Sequence, residues 1–258
     1  MAKLHFVALG SSFAAGPGIE PIINKAAMRS GRNHAHRLAE KLDAELTNLT
    51  ASGATLLNVL DTPQQTVFSK TGFPTSADIV TITAGGNDLG YSGGQMIDSY
   101  LSYAGPLKWF INKYRGCPTT DVDTNELSRR FCAVIDRIKS IAPTAKIYRA
   151  EYPNVFGDAT TPGQDVPLTA EQVSYYRERA RVLNAGYAQA AAARLEVELI
   201  PVSKASEGHE VGTEETWMLG FGLLMPYYGQ VPYHPNLAGH TAVADMLYER
   251  IKASAHSV

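Results

Sequence analysis

Short apolar runs alternate along the chain with longer segments in which apolar residues recur at helical spacing. The runs predict β-strands, and the run at 77–84 is β-branched and mostly apolar, as is typical of a strand buried on both faces. Strands separated by helices indicate a parallel sheet with helices on both faces. The predicted strands lie near residues 4–9, 44–49, 77–84, 146–150 and 197–202.

The helices between these strands are predicted from their apolar faces and from the residues at their ends. Leu127, Phe131 and Val134 begin the apolar face of one strongly periodic segment. Thr169 and Gln172 form the pattern of a capping box, which opens a long helix. One predicted helix begins at Asn33. The others cover about 55–60, 125–142, 169–194 and 237–253.

No internal repeat, low-complexity linker or shift in composition divides the chain. We therefore predict a single domain over residues 1–258, with irregular insertions at about 89–124 and 203–230. The first insertion, rich in glycine and aromatic residues, is interpreted as a helical insertion or lid whose rings pack together. The second either lines an apolar acyl pocket or packs in the core or lid, with the side chains of Trp217, Met218, Phe221, Leu223, Leu224 and Met225.

Composition and charge narrow the classes of protein. With 45% hydrophobic and 19% charged residues, the chain has the composition of a globular protein with a full core. Its net charge of -2 gives no reason to expect nucleic acid or a membrane surface as a partner. No apolar run is long enough for stable membrane insertion. The first strand begins close to Met1 and leaves no room for a signal peptide, so a cytoplasmic location is expected.

The two cysteines, Cys117 and Cys132, are compatible with two free thiols or with one disulfide. Two cysteines alone cannot form a structural zinc site, and no metal is expected.

Small and polar residues directly follow three of the predicted strands. Ser12 lies in a turn bounded by glycines after the first strand, Gly53 follows the second, and Gly85 and Asn87 follow the third. The carboxyl ends of parallel strands share one edge, so these loops are neighbours if the first strand lies between the other two. A serine beside N–H groups and an amide suits acyl transfer, because the donors stabilise the oxyanion that develops after attack.

The serine needs a base, and His234 is the favoured candidate. It is held between Tyr233 and Pro235 in a loop before the last helix, which suits a fixed imidazole. His209 is the second candidate for the base. His240 lies inside the last helix and is expected to be structural, and His34 and His36 are expected at the surface.

A Gly-x-Ser-x-Gly string at 90–94 makes Ser92 an alternative nucleophile of the α/β-hydrolase type. That elbow requires a sharp turn from strand directly into helix. Here the preceding strand ends near Ala84 and no clear helix follows Gly94, so Ser12 is preferred.

The motifs Gly10-x-Ser12-x-x-x-Gly16, Gly53, Gly85-x-Asn87-Asp88 and His234-Pro235-Asn236 occur in this order and span nearly the whole chain. Together they resemble the four sequence blocks of the SGNH (GDSL-type) hydrolases. The resemblance implies a three-layer α/β/α fold of the flavodoxin type, with a five-stranded parallel sheet in the order 2-1-3-4-5.

The resemblance also implies roles for individual residues. Ser12 is the expected nucleophile and His234 the base. The Ser12 N–H, the Gly53 N–H and the Asn87 side chain are the expected oxyanion hole. No metal or organic cofactor is required.

Two positions depart from the family pattern. Ser11 stands where the family usually has Asp before the nucleophile. Val231 stands where the family usually has the Asp of the triad, three residues before the histidine. We expect the backbone carbonyl of Val231, or one near it, to orient His234 instead. The alternative is a carboxylate from the preceding loop, namely that of Glu210, Glu214 or Glu215.

These observations predict an esterase or lipase that uses a Ser–His dyad, with a small-molecule ester as its partner. The sequence indicates no oligomeric state. Two alternatives remain open: a carbohydrate deacetylase that uses the same site, and a non-catalytic member of the fold that binds lipid or carbohydrate.

Overall fold

The computed structural model describes residues 3–61, 72–105 and 122–255. Five of its strands form a parallel sheet in the order β4-β1-β5-β6-β7, and β2 and β3 form a small antiparallel hairpin. Counted over the five strands of the large sheet, this is the predicted order 2-1-3-4-5, and the predicted α/β class is confirmed. The strands are β1 (His5–Gly10), β2 (Ile22–Asn24), β3 (Arg29–Ser30), β4 (Glu45–Asn48), β5 (Ile79–Thr83), β6 (Lys146–Ala150) and β7 (Val197–Ile200).

The helices that connect these strands follow the predicted positions closely. Asn33 caps α2, since its side chain accepts a hydrogen bond from the His36 N–H, and Thr169 and Gln172 form the complete capping box of α6. The helices are α1 (Ser12–Ala15), α2 (His34–Leu42), α3 (Leu56–Asp61), α4 (Tyr91–Ser102), α5 (Thr124–Ile141), α6 (Ala170–Ala193), α7 (Val202–Ala205) and α8 (Leu237–Ala255).

Strand β1 lies inside the sheet, between β4 and β5, and separates the two layers of core. Phe6 and Ala8 project into the layer that holds α2 and α8. Val7 and Leu9 project into the opposite layer, against α5 and α6. This alternation is the two-residue period of a strand buried on both faces. It places the end of β1, where Ser12 follows, between the ends of β4 and β5.

Two local features differ from the sequence predictions: the hairpin β2–β3, and helix α4, which runs through Gly94, where no clear helix was expected. The hairpin β2–β3 occupies part of a stretch predicted as loop. Helix α4 lies within the first insertion, at 89–124, of which residues 106–121 lie outside the described residues. The sequence leaves the state of the two cysteines open. Cys132 is a free thiol, and Cys117 lies outside the described residues.

None of the helices among the described residues is both long and apolar enough to cross a lipid bilayer.

Candidate active site

Ser12 is the first residue of α1, directly after β1, and the turn before it depends on close backbone contact. A Cβ on Gly10 would lie 2.5 Å from the Thr83 carbonyl oxygen, so only glycine fits there. The Ser11 N–H donates to the same carbonyl oxygen at 2.9 Å. These contacts fix the start of α1 against the end of β5, and Ser12 is almost fully buried.

His234 is the imidazole that contacts Ser12. Its Nε2 lies 2.8 Å from Ser12 Oγ, and its Nδ1 lies 2.8 Å from the carbonyl oxygen of Pro232. A carbonyl oxygen can only accept, so Nδ1 carries the proton and donates it. Nε2 is then unprotonated and accepts the hydrogen bond from the Ser12 hydroxyl. The tautomer that a general base requires is therefore set by a backbone atom.

The orienting carbonyl belongs to Pro232, so the expectation of Val231 is wrong by one residue. Tyr233, which follows Pro232, has a left-handed backbone with φ of 60°, and this turn brings the Pro232 carbonyl to the ring of His234. The sequence offered only the expectation of a nearby carbonyl, because the left-handed conformation of a tyrosine has no clear sequence signal.

The loop carboxylates do not occupy this position. The buried Glu210 carboxylate accepts from the Gly208 N–H at 2.8 Å. The side chains of Glu214 and Glu215 are exposed. The Nδ1 of His234 is paired with a carbonyl, so none of the three acidic residues orients the ring.

The loop that carries His234 is anchored at several points. Its backbone pairs with Leu219, whose N–H donates to the His234 carbonyl at 2.8 Å. The hydroxyl of buried Tyr233 lies 2.6 Å from Ser99 Oγ on α4. The Oδ1 of Asn236 accepts from the Gly239 N–H at 3.0 Å and caps the start of α8. The His-Pro-Asn motif thus joins the loop to the last helix.

Burial lowers the pKa of His234 from 6.5 to about 4, and the hydrogen bond to the Pro232 carbonyl opposes this only in part. Desolvation disfavours the imidazolium, so the ring is neutral at neutral pH.

The candidate oxyanion donors lie on the two neighbouring loops. The Ala51 N–H donates to the Gly10 carbonyl at 3.0 Å, which holds the Gly53 loop beside the serine turn. Asn87 begins a 3₁₀ turn after β5, and its Nδ2 donates to the Ala54 carbonyl at 2.9 Å. The structure therefore brings the Ser12, Gly53 and Asn87 loops together at the carboxyl edge of the sheet.

Asp88, which follows Asn87, holds this turn in place. Its carboxylate is fully buried and accepts from the Leu56 N–H and from Arg130 Nη1, both at 2.8 Å. It therefore joins the Asn87 turn to α3 and α5. Asp88 belongs to the Gly85-x-Asn87-Asp88 motif, but the sequence gives no signal for these two contacts.

A second contact that the sequence did not reveal connects the serine turn to the Asn87 turn. The hydroxyl of buried Tyr152 lies 2.5 Å from Ser11 Oγ and accepts from the Gly86 N–H at 3.3 Å. The Tyr152 ring stacks on Phe13 at 4.1 Å between centroids, and Phe13 in turn lies 5.2 Å from the ring of His234. Ser11, in the place of the usual Asp, therefore has a buried partner.

The alternative nucleophile and the other histidines do not take part in the Ser12–His234 contact. Ser92 is buried in the first turn of α4, well after the end of β5, so it is not on a strand-to-helix elbow. The ring of His209 stacks on Trp217 at 4.4 Å, and its Nδ1 lies 2.7 Å from the Glu215 carbonyl oxygen. His240 is buried, as expected of a structural residue.

The prediction of a surface position for His34 is wrong. Its ring is buried because α2 packs on α8 and the ring stacks on that of His240, with 5.4 Å between centroids.

The second insertion does not form one apolar pocket from its described side chains. Met218 is in the core, and Trp217 covers His209. Phe221 packs on Tyr100, whereas Leu224 is exposed. Among residues 3–61, 72–105 and 122–255, no three His, Cys, Asp or Glu side chains are grouped as a metal site requires.

The chain matches a known protein family and a curated relative over most of its length. Residues 8–242 match the model of the GDSL-like lipase/acylhydrolase family. A curated relative, Lipase 2 of Streptomyces coelicolor, is 27% identical, with 94% of this chain and 84% of the relative aligned.

Two solved structures share the fold. An extracellular lipase from Streptomyces rimosus superposes with a TM-score of 0.72 at 22% identity, covering 95% of this chain and 99% of that one. Phospholipase A1 from Streptomyces albidoflavus NA297 gives a TM-score of 0.71 at 20% identity, covering 97% of this chain and 100% of that one. With a family model that matches most of its length, the chain belongs to the GDSL-like lipase/acylhydrolase family and is an ester hydrolase.

Proposed function

We propose that the chain hydrolyses carboxylic esters of fatty acids, with Ser12 as nucleophile and His234 as general base. One observation carries this proposal: Ser12 Oγ, His234 Nε2, His234 Nδ1 and the Pro232 carbonyl form a continuous hydrogen-bonded series with separations of 2.8 Å. A nucleophile bonded to a base, and a base oriented by a third group, is the arrangement that nucleophilic catalysis requires.

In the proposed reaction, Ser12 Oγ attacks the acyl carbonyl carbon while its proton passes to His234 Nε2. The negative charge on the carbonyl oxygen is stabilised by the Ser12 N–H, the Gly53 N–H and the Asn87 amide. The imidazolium then gives its proton to the departing alkoxide, and the alcohol leaves. Water attacks the acyl-enzyme with the same proton transfers in turn, which releases the acid and restores Ser12.

The Pro232 carbonyl is neutral, so it stabilises the imidazolium less than a carboxylate would. Its contribution is mainly to the orientation of the ring, because it fixes the proton on Nδ1 and leaves Nε2 free to accept. The dyad is expected to work more slowly than a complete triad with the same oxyanion donors.

Support for a fatty acyl substrate comes from the relatives, whose names describe two lipases and a phospholipase A1.

Hydrolysis of p-nitrophenyl esters from acetate to palmitate tests the proposal, with Ser12→Ala as the decisive variant. We expect turnover by the unaltered protein and a loss of at least about 1,000-fold in Ser12→Ala. Ser92→Ala is the matched control, since Ser92 is the other buried serine in a Gly-x-Ser string, and it should retain activity. Labelling by a fluorophosphonate should likewise require Ser12.

Activity that persists in Ser12→Ala, or that is lost in correctly folded Ser92→Ala, would overturn the assignment of the nucleophile. Absence of turnover and of labelling in folded protein would instead favour a member of the fold that binds without catalysis.

A further inference from the structure

The turn that leads to His234 exposes several large apolar side chains together. The side chains of Leu223, Leu224, Tyr227 and Tyr228 are 50%, 64%, 84% and 68% exposed. We refer to residues 223–228 as the apolar turn. Single exposed apolar residues are ordinary, but a group of them in one short segment indicates an interaction surface.

The apolar turn is a formed structure that follows a partly buried aromatic residue, Phe221. Residues Met225–Tyr228 make a 3₁₀ turn, in which the Tyr227 N–H donates to the Leu224 carbonyl at 3.0 Å. Phe221 packs on Tyr100 at 4.9 Å and on Tyr233 at 6.0 Å between ring centroids. The exposed side chains therefore extend from a hydrogen-bonded turn that is joined to a packed aromatic cluster.

The turn lies beside the Ser12–His234 pair. Leu219, four residues before the turn, is hydrogen-bonded to the backbone of His234. On the other side, a Cβ on Gly18 would lie 2.7 Å from the Gly229 carbonyl oxygen, so the end of the turn packs against the chain that follows α1. A surface in contact with the turn would therefore adjoin the active site.

Charge distribution indicates the kind of surface. Residues 216–244 contain no Asp, Glu, Lys or Arg, although 19% of the whole chain is charged. This segment has no cation to attract anionic headgroups. Leucine side chains can enter the acyl region, and tyrosine rings favour the boundary between apolar chains and polar headgroups. These properties fit a lipid surface without net charge.

We propose that the apolar turn docks the protein on the surface of a zwitterionic lipid bilayer and brings ester-bearing lipid to Ser12. This inference rests on the proposed function, because it supplies the route by which an aggregated acyl ester reaches the site. The docking itself requires no turnover and is measurable separately.

The experiment is flotation with phosphatidylcholine vesicles, using the Ser12→Ala protein so that no lipid is hydrolysed. We expect it to float with the vesicles and expect a loss of about tenfold or more in partitioning on the added change Leu224→Ser with Tyr227→Ser. Leu195→Ser is the matched control. Leu195 is 89% exposed, but it precedes β7 and so lies at the amino ends of the strands, whereas the active site lies at their carboxyl ends. It should leave partitioning unchanged. Thermal unfolding of each variant establishes that it is folded.

Three results would overturn the docking proposal. These are failure of the Ser12→Ala protein to float, equal flotation of the folded Leu224→Ser/Tyr227→Ser variant, and flotation only with phosphatidylglycerol vesicles. Sedimentation that shows dimers dependent on Leu224 and Tyr227, without flotation, would assign the turn to self-association instead. Hydrolysis of soluble p-nitrophenyl acetate by the unaltered protein tests the proposed function independently. If the protein floats normally but does not hydrolyse this ester, only the proposed ester hydrolysis is overturned and the docking proposal stands.

Discussion

The Nδ1 atom of His234 lies 2.8 Å from the backbone carbonyl oxygen of Pro232, in the position where a triad would place a carboxylate. The ring is buried, and its Nε2 faces Ser12 Oγ. The acid–base behaviour of the site is therefore governed by one ionisable group. This arrangement has direct consequences for the dependence of activity on pH.

We expect kcat/KM for a soluble ester to remain nearly constant from pH 8 down to about pH 5. It should fall to half near pH 4, because burial lowers the pKa of His234 to about 4 and the neutral ring is the active base. The measurement is a pH profile of kcat/KM, with circular dichroism at each pH to establish that the protein is folded. A midpoint near the ordinary value of about 6.5 would contradict the buried imidazole.

The free energy of unfolding should also depend on pH through the buried histidines. The pKa values of His34 and His234 are both lowered to about 4 by burial, and that of His240 is also lowered. As pH falls from about 6.5 towards 4, the unfolded chain binds protons at these histidines while the folded protein does not. The stability present above pH 6.5 is therefore lost over this interval, by up to about 1.4 kcal/mol per pH unit for each histidine.

Guanidinium chloride unfolding between pH 7 and pH 5 measures this slope before most carboxylates titrate. A His34→Gln variant should show a shallower decline, since one of the buried imidazoles is removed. Equal stability at pH 7 and pH 5 in the unaltered protein would argue against the burial of these rings.

Asn87 is expected to act on kcat more than on KM. Replacement by Ala removes one donor to the oxyanion, so kcat should fall by about 100- to 1,000-fold. Asn87→Asp should be at least as severe, because it substitutes a negative charge for the donor. The matched control is Asn154→Ala, as the Asn154 amide donates to the carbonyl of Ser203 in α7 at 2.8 Å and not to a group of the Asn87 turn. A normal kcat in Asn87→Ala would exclude Asn87 from the oxyanion hole.

Tyr152→Phe tests the link between the serine turn and the Asn87 turn. The ring that stacks on Phe13 is retained, but Ser11 Oγ and the Gly86 N–H lose their common partner. We expect a decrease of about 1–3 kcal/mol in the free energy of unfolding, from the buried groups left unpaired. The displaced serine turn should lower kcat with little change in KM.

A double-mutant cycle with Ser11→Ala isolates this contact. Ser11→Ala should cost less in the Tyr152→Phe background than in the unaltered protein. Tyr148→Phe is the control, because Tyr148 is a buried tyrosine in the layer of core that holds α2 and α8. Additive effects of Ser11→Ala and Tyr152→Phe would show that the two hydroxyls are not coupled.

Features set by local sequence were predictable. The strand at Lys146–Ala150 and the capping box at Thr169 were located from apolar runs and end residues alone. The topology of a parallel sheet placed the Ser12, Gly53 and Asn87 loops at one edge, and His234 was singled out by its position in the loop before the last helix. Each of these inferences depends on residues close together in the chain or on a general rule of sheet connection.

Features set by contacts distant in sequence were not predictable. Arg149 lies within an apolar strand, yet its guanidinium is fully buried, 3.7 Å and 4.2 Å from the ring centroids of Phe131 and Tyr187. The pairing of Tyr152 with Ser11 spans 141 positions. The choice of Pro232 over Val231 depended on one backbone angle at Tyr233. Periodicity carries no information about such partners.

The orienting acceptor of His234 belongs to the main chain, and this affects how the site can change by mutation. Every amino acid has a carbonyl, so no single codon change at position 232 deletes the acceptor. It is displaced only when the path of the loop changes. Relatives with quite different residues at this position can retain the same catalytic arrangement. A search for catalytic residues by identity will therefore overlook it, and a missing acid in an alignment is weak evidence of lost activity.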